Sequence, residues 1–193
     1  MRWVQQVSKC KICRAEFTKR SMTHKACSPE CAIELGKRQK QAKERKEIRK
    51  RKLALKTRTQ WLKEAQIDFN RYIRERDRLA GLPCISCGRF HTGSYDAGHY
   101  RSVGAAPQLR FHEDNCHRQC VPCNQHKSGN AIEYRIKLVE RIGRERVEAL
   151  ESDNSVKKYT IAEAQAIRAE YRDKLMALGN ANVTGLAPTQ VEK

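Results

Sequence analysis

The chain has 193 residues, of which 39% are apolar and only 6% aromatic. This composition disfavours one large hydrophobic core and favours small domains in which bound metal substitutes for buried apolar surface. Lys and Arg number 40 against 22 Asp and Glu, a formal net charge of +18. Such an excess favours a polyanionic partner, and nucleic acid is the first expectation.

The positive charge is concentrated in the first part of the chain. Residues 1–80 contain 24 Lys and Arg against 9 Asp and Glu, whereas residues 81–193 contain 16 against 13. We therefore expect the electrostatic contact with a phosphate backbone to lie mainly before residue 80. Specific chemistry need not lie there too.

Nine cysteines fall mostly into short pairs. No apolar run follows Met1 that would act as a secretion signal or cross a membrane, so the sequence indicates a cytoplasmic, reducing setting without a membrane partner. In that setting, paired thiolates are expected to bind metal and not to form disulfides.

The first predicted module, residues 1–36, contains Cys10-Lys11-Ile12-Cys13 and Cys27-Ser28-Pro29-Glu30-Cys31. Two cysteine knuckles separated by a hairpin-sized loop supply the four soft ligands of a structural zinc ion. Redox-active or free thiols are the alternative. His24 is interpreted as a loop residue, although a histidine can replace one thiolate.

Residues 37–80 contain no Gly or Pro and predict one long helix. Its first half, Lys37 to Arg58, has 12 Lys or Arg in 22 residues, which predicts a solvated helix that contacts DNA. Its second half carries an apolar face, and that face is predicted to dock on the following domain, with stacking on unpaired bases as the alternative. The face consists of Trp61, Ala65, Phe69, Tyr72 and Ile73.

Residues 81–151 form the predicted central domain. The pairs Cys84-Ile85-Ser86-Cys87 and Cys120-Val121-Pro122-Cys123 predict a second structural zinc ion that fixes the ends of a two-stranded ribbon followed by a helix. Cys116 is predicted to be a buried free thiol. Helices are predicted at 131–139 and 144–151, separated by Gly143.

The last predicted segment is 152–193. Thr160 and Glu163 form a capping box that begins a helix ending near Leu178, before Gly179. Its apolar side is expected to pack on the domain or to pair with another chain, and the tail from Asn180 is expected to be disordered. The predicted fold is therefore α+β and mostly α.

The central stretch resembles the zinc-stapled ββα-metal form of the HNH nuclease motif. The resemblance rests on the two cysteine pairs, on Gly98-His99, on an Asn five residues before the second pair, and on an Asn directly after it. It implies that His99 is the general base, that Asn115 orients it, and that Asn124 helps to hold a catalytic divalent cation.

Further motifs extend the resemblance over most of the chain. Asp96-Ala97-Gly98-His99-Tyr100, Ser128-Gly129-Asn130 and Tyr134 before Arg141-Ile142-Gly143 resemble the NinG (Rap) recombination proteins of lambdoid phages. This resemblance implies a phage endonuclease, active in the bacterial host cell, that cleaves branched DNA such as D-loops and Holliday junctions. It also implies other recombination proteins as partners, and a symmetric junction favours a homodimer formed through the helix at Trp61 or the one at Thr160.

One position departs from the HNH pattern. Gly98 stands where an acidic metal ligand usually precedes the histidine, and Asp96 is the nearest carboxylate. Oxygen ligands from Asp96 and Asn124 suit Mg²⁺ or Mn²⁺, and neutral His99 suits activation of water. Asn115 is expected to set the tautomer of His99.

Two other functions are compatible with the same residues. A non-catalytic, zinc-containing DNA-binding recombination mediator would explain Gly98, and an RNA-binding zinc protein would use the same basic helix. His117 and His126 are either phosphate donors or alternative ligands, or they have surface and capping roles.

Overall fold

The computed structural model describes the backbone of residues 7–184 and the side chains of residues 7–180, and it shows a mostly helical α+β protein. The chain divides into two compact units, with the boundary between Lys56 and Thr57. None of the helices in this range is long and apolar enough to span a membrane.

The first unit consists of a short hairpin followed by a long helix. Strands β1 (Val7–Lys9) and β2 (Glu16–Thr18) are antiparallel, with Ser8 opposite Phe17. Helix α1 (Pro29–Ala54) begins after Ser28, whose side chain accepts a hydrogen bond from the Cys31 amide. No residue of α1 is buried, so its basic side chains are solvated, as the one-signed charge predicts.

The prediction of one helix over residues 37–80 was wrong. Helix α1 ends at Ala54, and a separate helix, α2 (Arg58–Leu79), begins after Thr57. Thr57 and Gln60 form a reciprocal capping box. Because this box satisfies amide groups that have no partner at a helix start, it favours a new helix at Thr57 over continuation of the first.

Helix α2 packs against a C-terminal helix, α5 (Ile161–Thr184), in the second unit. The predicted apolar face of α2 is buried except for Tyr72, which is half-buried, and Phe69 meets Tyr171 edge to face with ring centroids 4.8 Å apart. Docking of this face on the central domain is thereby confirmed, since Cys116 and Ala97 of that domain belong to the same core. Ala164 and Tyr171 of α5 are buried in the same core, whereas Ile161 is exposed. Pairing with a second chain stays a prediction.

In chain order, an antiparallel ribbon follows α2 and precedes α5. It consists of β3 (Tyr95–His99) and β4 (Cys116–Cys120). Asp96 pairs with Gln119, Gly98 with His117 and His99 with Cys116. A π-helical turn, Pro122–His126, and helix α3 (Ala131–Ile142) follow β4. The order of two strands and a helix agrees with the prediction.

Helix α3 covers one face of the ribbon. The Tyr134 hydroxyl donates a hydrogen bond of 2.8 Å to the Gly98 carbonyl and lies 3.4 Å from His117 Nδ1. Helix α4 (Arg144–Ser152) begins after Gly143, as predicted, and packs on α3. Their shared core consists of Ile85, Ala106, Leu109, Tyr134, Leu138, Val147 and Leu150.

A buried carboxylate joins α2 to the ribbon. Asp77 is almost fully buried, accepts a 2.7 Å hydrogen bond from the Arg118 amide, and lies 2.8 Å from the Arg76 guanidinium. A buried charge is tolerated only when it is paired and hydrogen-bonded. Asp77 meets both conditions and fixes the position of β4 relative to α2.

The start of α5 agrees with the prediction and its end does not. The amide of Thr160 donates to Glu163 and the amide of Glu163 donates to Thr160, so the capping box is present. The helix continues through Gly179 to Thr184, because a single glycine costs an α-helix only about 1 kcal/mol. The tail predicted to be disordered lies, from residue 185 onward, outside the described residues.

Candidate metal centres and catalytic site

The first four cysteines converge in the N-terminal unit. Cys10 and Cys13 lie at the tip of the β1–β2 hairpin, while Cys27 and Cys31 lie at the start of α1. The Cys13 and Cys27 sulfurs are 3.4 Å apart and those of Cys27 and Cys31 are 3.8 Å apart. Arg14 has a left-handed backbone, with φ of 67°, and its amide donates back to the Cys10 carbonyl.

The second four cysteines converge at one end of the ribbon. Cys84 and Cys87 come from the loop after α2, and Cys120 and Cys123 come from the end of β4 and the π-helical turn. The amide of Gly88 donates to the Cys84 carbonyl, and φ of Gly88 is 66°. The two knuckles thus share one turn geometry, with Arg14 and Gly88 in equivalent places.

Both clusters can hold a zinc ion. Within each, the four sulfurs lie within 4.8 Å of one another. Tetrahedral zinc with bonds of about 2.3 Å to sulfur places its ligands about 3.8 Å apart, and the observed separations bracket this value. The prediction of two four-cysteine sites agrees with this arrangement.

Cys116 is separate from these clusters, as predicted. Its side chain is fully buried, and burial raises the pKa of this thiol well above its usual value. Its sulfur lies 3.6 Å from His99 Nδ1. A buried, protonated thiol in this place packs the core and does not serve as a metal ligand.

Asp96 and Asn124 are brought together, although 28 residues separate them. Asp96 Oδ2 accepts hydrogen bonds of 2.8 Å from Asn124 Nδ2 and from Gln125 Nε2. The turn after the second cysteine pair places both amides beside the start of β3. Gln125 was not predicted, and no feature of its sequence position distinguishes it.

His99 points to the other face of the ribbon. Residues three apart on a strand face opposite sides, and the His99 ring lies toward α2, with its centroid 6.0 Å from that of Phe69. Its Nε2 lies 3.0 Å from the Arg110 carbonyl, which can only accept a hydrogen bond. Nε2 therefore carries the proton, and Nδ1 has the free lone pair.

Burial lowers the pKa of His99. The ring is consequently neutral near neutral pH, the state that a general base requires. Its free nitrogen, Nδ1, faces the Cys116 thiol and not Asp96. The structure thus places the predicted base and the predicted cation ligands on different faces.

Asn115 holds a loop and does not contact the imidazole in the way predicted. Its Oδ1 accepts from the Arg101 amide at 2.8 Å, and its Nδ2 donates to the Arg101 and Leu109 carbonyls. The Asn115 side chain is fully buried. It therefore closes the loop between β3 and β4, and the tautomer of His99 is set by the Arg110 carbonyl instead.

Gly98 leaves no space for an acidic side chain. A Cβ atom at this position would lie 2.0 Å from Gln119 Oε1 and 3.0 Å from Gln119 Cβ. Gln119 is fully buried and donates 2.6 Å hydrogen bonds to Ser86 Oγ and to the Gly129 carbonyl. The buried Gln119 therefore occupies the space that an acidic side chain at position 98 would need.

The other histidines have different surroundings. His117 is buried against Tyr134, and burial lowers the pKa of His117 well below its usual value. His126 is exposed at the end of the π-helical turn. His91, which was not predicted, lies with Nε2 3.3 Å from the Cys87 sulfur, where it can donate a hydrogen bond to a thiolate.

The described residues thus define a class: a basic protein of two compact units, each with a four-cysteine cluster that can hold a metal ion. The family model described as "Bacteriophage Lambda NinG protein" matches residues 4–181. The chain therefore belongs to the NinG family.

Individual relatives agree with this membership. "Protein ninG" of Escherichia phage lambda is 48% identical, with 80% of this chain and 83% of the relative covered. "Protein ninG" of Escherichia phage 933W is 45% identical, with 89% and 94% covered, and that of Salmonella phage P22 is 48% identical, with 79% and 83% covered. No solved structure matches the chain.

Proposed function

We propose that this NinG-family chain is a structure-specific DNA endonuclease that cleaves branched recombination intermediates with the help of a divalent cation. The observation that carries the proposal is the contact between Asp96 and Asn124, held beside a four-cysteine centre on a ribbon followed by a helix. Two polar side chains distant in sequence are held together there by the cysteine cluster. Their oxygens are the ligand types that Mg²⁺ and Mn²⁺ prefer.

The donor set fits a cation that keeps several waters. Asp96 offers a carboxylate, and a half-turn of the Asn124 amide presents its oxygen in place of its nitrogen. One carboxylate with one or two further oxygens is enough for Mg²⁺ when substrate phosphates complete the shell. When bound, such a cation neutralises charge on the phosphate and on the leaving oxygen.

The residues of the chain supply the remaining requirements. His99 is neutral near neutral pH, which is the protonation state that a general base requires. The basic side chains of α1 supply positive charge for a phosphate backbone. A branched junction with two-fold symmetry favours two copies of the chain acting together, which a measured solution mass would test.

The test uses purified protein with a labelled four-way junction and a linear duplex of the same length, with and without Mg²⁺. We expect cleavage of the junction only with Mg²⁺. Asp96→Asn is expected to lower the cleavage rate at least about 100-fold, because it removes the charged cation ligand, while junction affinity and zinc content stay unchanged. His99→Ala is expected to abolish cleavage under the same conditions.

The matched control is Asp173→Asn, at an exposed position of α5. This variant removes the same charge at a position remote in sequence from the ribbon and should cleave like the wild type. If Asp96→Asn also cleaves at the wild-type rate, the cation site is wrongly assigned.

One observation favours a second function, that of a non-catalytic DNA-binding recombination mediator. The His99 ring faces Phe69 and Cys116, while Asp96 faces the opposite side of the ribbon. Under this proposal the cysteine clusters and the basic helix bind junctions, and no strand is cut. Junction binding without nicking in Mg²⁺ or Mn²⁺ would identify this function.

A further inference from the structure

The N-terminal unit contains a basic cleft beside its cysteine cluster. The cleft has a volume of about 340 Å³ and is lined by four lysines, one aromatic residue, one methionine and one serine. These residues are Lys9, Lys11, Lys19, Lys25, Phe17, Met22 and Ser8. The cleft is formed by the hairpin and by the loop that follows it, and it does not depend on the second unit.

The four lysines leave the cleft without a compensating charge. Within residues 7–184 none of them forms an ion pair, and no acidic residue lines the cleft. Glu16 lies opposite Lys9 in the hairpin register but is not part of the lining. Four lysines at one cleft concentrate positive charge there, and a bound phosphate would offset this charge.

Phe17 adds an aromatic surface to this positively charged cleft. Its ring is half-buried and packs against His24 in a T-shaped contact, with ring centroids 4.9 Å apart and planes at 75°. Met22, at 84% exposure, lies at the same cleft and is free to adjust to a bound group. A phosphate alone does not stack on an aromatic ring, whereas the base of a nucleotide does.

The backbone around the cleft is held in place before any ligand binds. Lys11 lies inside the Cys10–Cys13 knuckle, and its amide donates a 3.0 Å hydrogen bond to the Lys25 carbonyl. Lys25 precedes Cys27 by two residues, so the cluster that fixes one lysine fixes the other. A site held in this way loses little entropy when it binds.

We propose that this cleft binds an unpaired nucleotide of DNA, with its phosphate on the lysines and its base against Phe17 and Met22. The bases of an intact duplex are stacked on each other and cannot reach Phe17, so the cleft distinguishes unpaired strands from paired ones. This proposal rests on the DNA substrate of the proposed function. It adds a role for the N-terminal module in recognising the open centre of a branch.

The test measures the affinity of the full chain for labelled oligo-dT, oligo-rU and a duplex in magnesium-free buffer, so that no cleavage is required. Phe17→Leu keeps an apolar side chain and removes the aromatic ring. It is expected to weaken oligo-dT binding about tenfold and to leave duplex binding unchanged. Zinc content, measured on each variant, shows that the module is still folded.

A second pair of variants keeps the test decisive if Phe17→Leu loses zinc. The double variant Lys19→Gln and Lys25→Gln removes two charges from the cleft, and Lys40→Gln with Lys43→Gln removes two exposed charges from α1. The first pair should weaken oligo-dT binding more than duplex binding, and the second should weaken both equally.

Three results would overturn the proposal. The first is that folded Phe17→Leu binds oligo-dT with an affinity within about twofold of the wild type. The second is that the double variant of Lys19 and Lys25 loses equal affinity for oligo-dT and for duplex. The third is that the wild type binds oligo-rU at least about tenfold more tightly than oligo-dT. Junction cleavage by the wild type is measured separately. Failure to cleave would refute the proposed nuclease and leave this binding result intact.

Discussion

The side chain of Gln119 fills the space beside Gly98 on the ribbon, so residue 98 has no room for a side chain. Gln119 Oε1 occupies the position of any side chain at residue 98. We expect Gly98→Ala to lower the free energy of unfolding by about 1–3 kcal/mol, because it forces the buried amide from its two hydrogen bonds. Chemical denaturation of the zinc-loaded protein measures this change.

A double-mutant cycle identifies the cause. In the Gln119→Ala background the space is empty, so Gly98→Ala should cost less than about 0.5 kcal/mol. Equal costs in both backgrounds would show that residue 98 is sensitive for another reason, such as its backbone conformation.

His117 gives the folded state a dependence on pH. Burial lowers the pKa of His117 well below its usual value, so the unfolded chain binds a proton more readily than the folded one. The stability that neutral His117 provides is therefore complete above about pH 6.5 and declines as the pH falls toward the folded pKa. Replacing this group should make the protein less sensitive to acid.

The measurement compares unfolding free energies near pH 7.5 and near pH 5.5 for the wild type, His117→Gln and the exposed-site control His126→Gln. His117→Gln is expected to lose less stability between these two pH values than the wild type does. Protonation of the cysteine clusters affects all three proteins alike and cancels in the comparison. A wild-type pH response in His117→Gln would contradict the prediction.

The candidate site shows which residues a sequence can identify. The eight clustered cysteines are predictable because the ligand type and the spacing carry the chemistry together. The proximity of Asp96 and Asn124 is predictable too, because the cysteine cluster at the end of the ribbon fixes the positions of both residues. The direction of the His99 ring and the space above Gly98 are different, because they depend on which strand face meets α2 and which meets α3.

At the scale of elements, the two knuckles repeat one structure in unrelated surroundings. Each has a hydrogen bond from the amide after its second cysteine to the carbonyl of its first. The shared geometry follows from the common requirement to aim two sulfurs at one ion. It also explains why Arg14 adopts a left-handed backbone that favours glycine, the residue at the equivalent position 88.

Zinc content tests the separation of Cys116 from the second cluster. The wild type should contain two zinc ions per chain, as the two clusters imply. Cys116→Ala should keep both, because its sulfur is outside the clusters, whereas Cys120→Ala should lose one and unfold the ribbon. Metal analysis by atomic absorption distinguishes these results, and loss of zinc from Cys116→Ala would assign that thiol to the cluster.

The helix boundary at Thr57 shows why element limits were harder to predict than element types. Helix-forming composition continues without interruption across residues 37–80, so it contains no stop signal. The break is produced by the capping box of Thr57 and Gln60. In the sequence, Gln60 does not stand out from the other glutamines of this helix-forming stretch. The box at Thr160 was predictable because a polar break precedes it.

For the whole molecule, the two units differ strongly in charge: residues 1–56 contain 18 Lys and Arg against 5 Asp and Glu, whereas residues 57–193 contain 22 against 17. The N-terminal unit contains the exposed basic helix α1 and the lysine-lined cleft, and the second unit contains the candidate cation site. We infer that the first unit supplies most of the affinity for DNA and the second supplies the chemistry. The dependence of binding on salt tests this arrangement without requiring catalysis.

Binding to duplex DNA should weaken linearly on a plot of log affinity against log salt concentration, with a slope of about 0.9 for each phosphate contact. Replacing Lys43, Lys46 and Lys50 of α1 by Gln should therefore reduce the slope by up to about 2.7, because up to three contacts are lost. Replacing the exposed Lys127, Arg144 and Lys158 by Gln removes the same charge from the second unit and should change the slope much less. Equal changes in the two triple variants would show that DNA contacts both units alike, and a flat salt response of the wild type would refute a phosphate-binding role for α1.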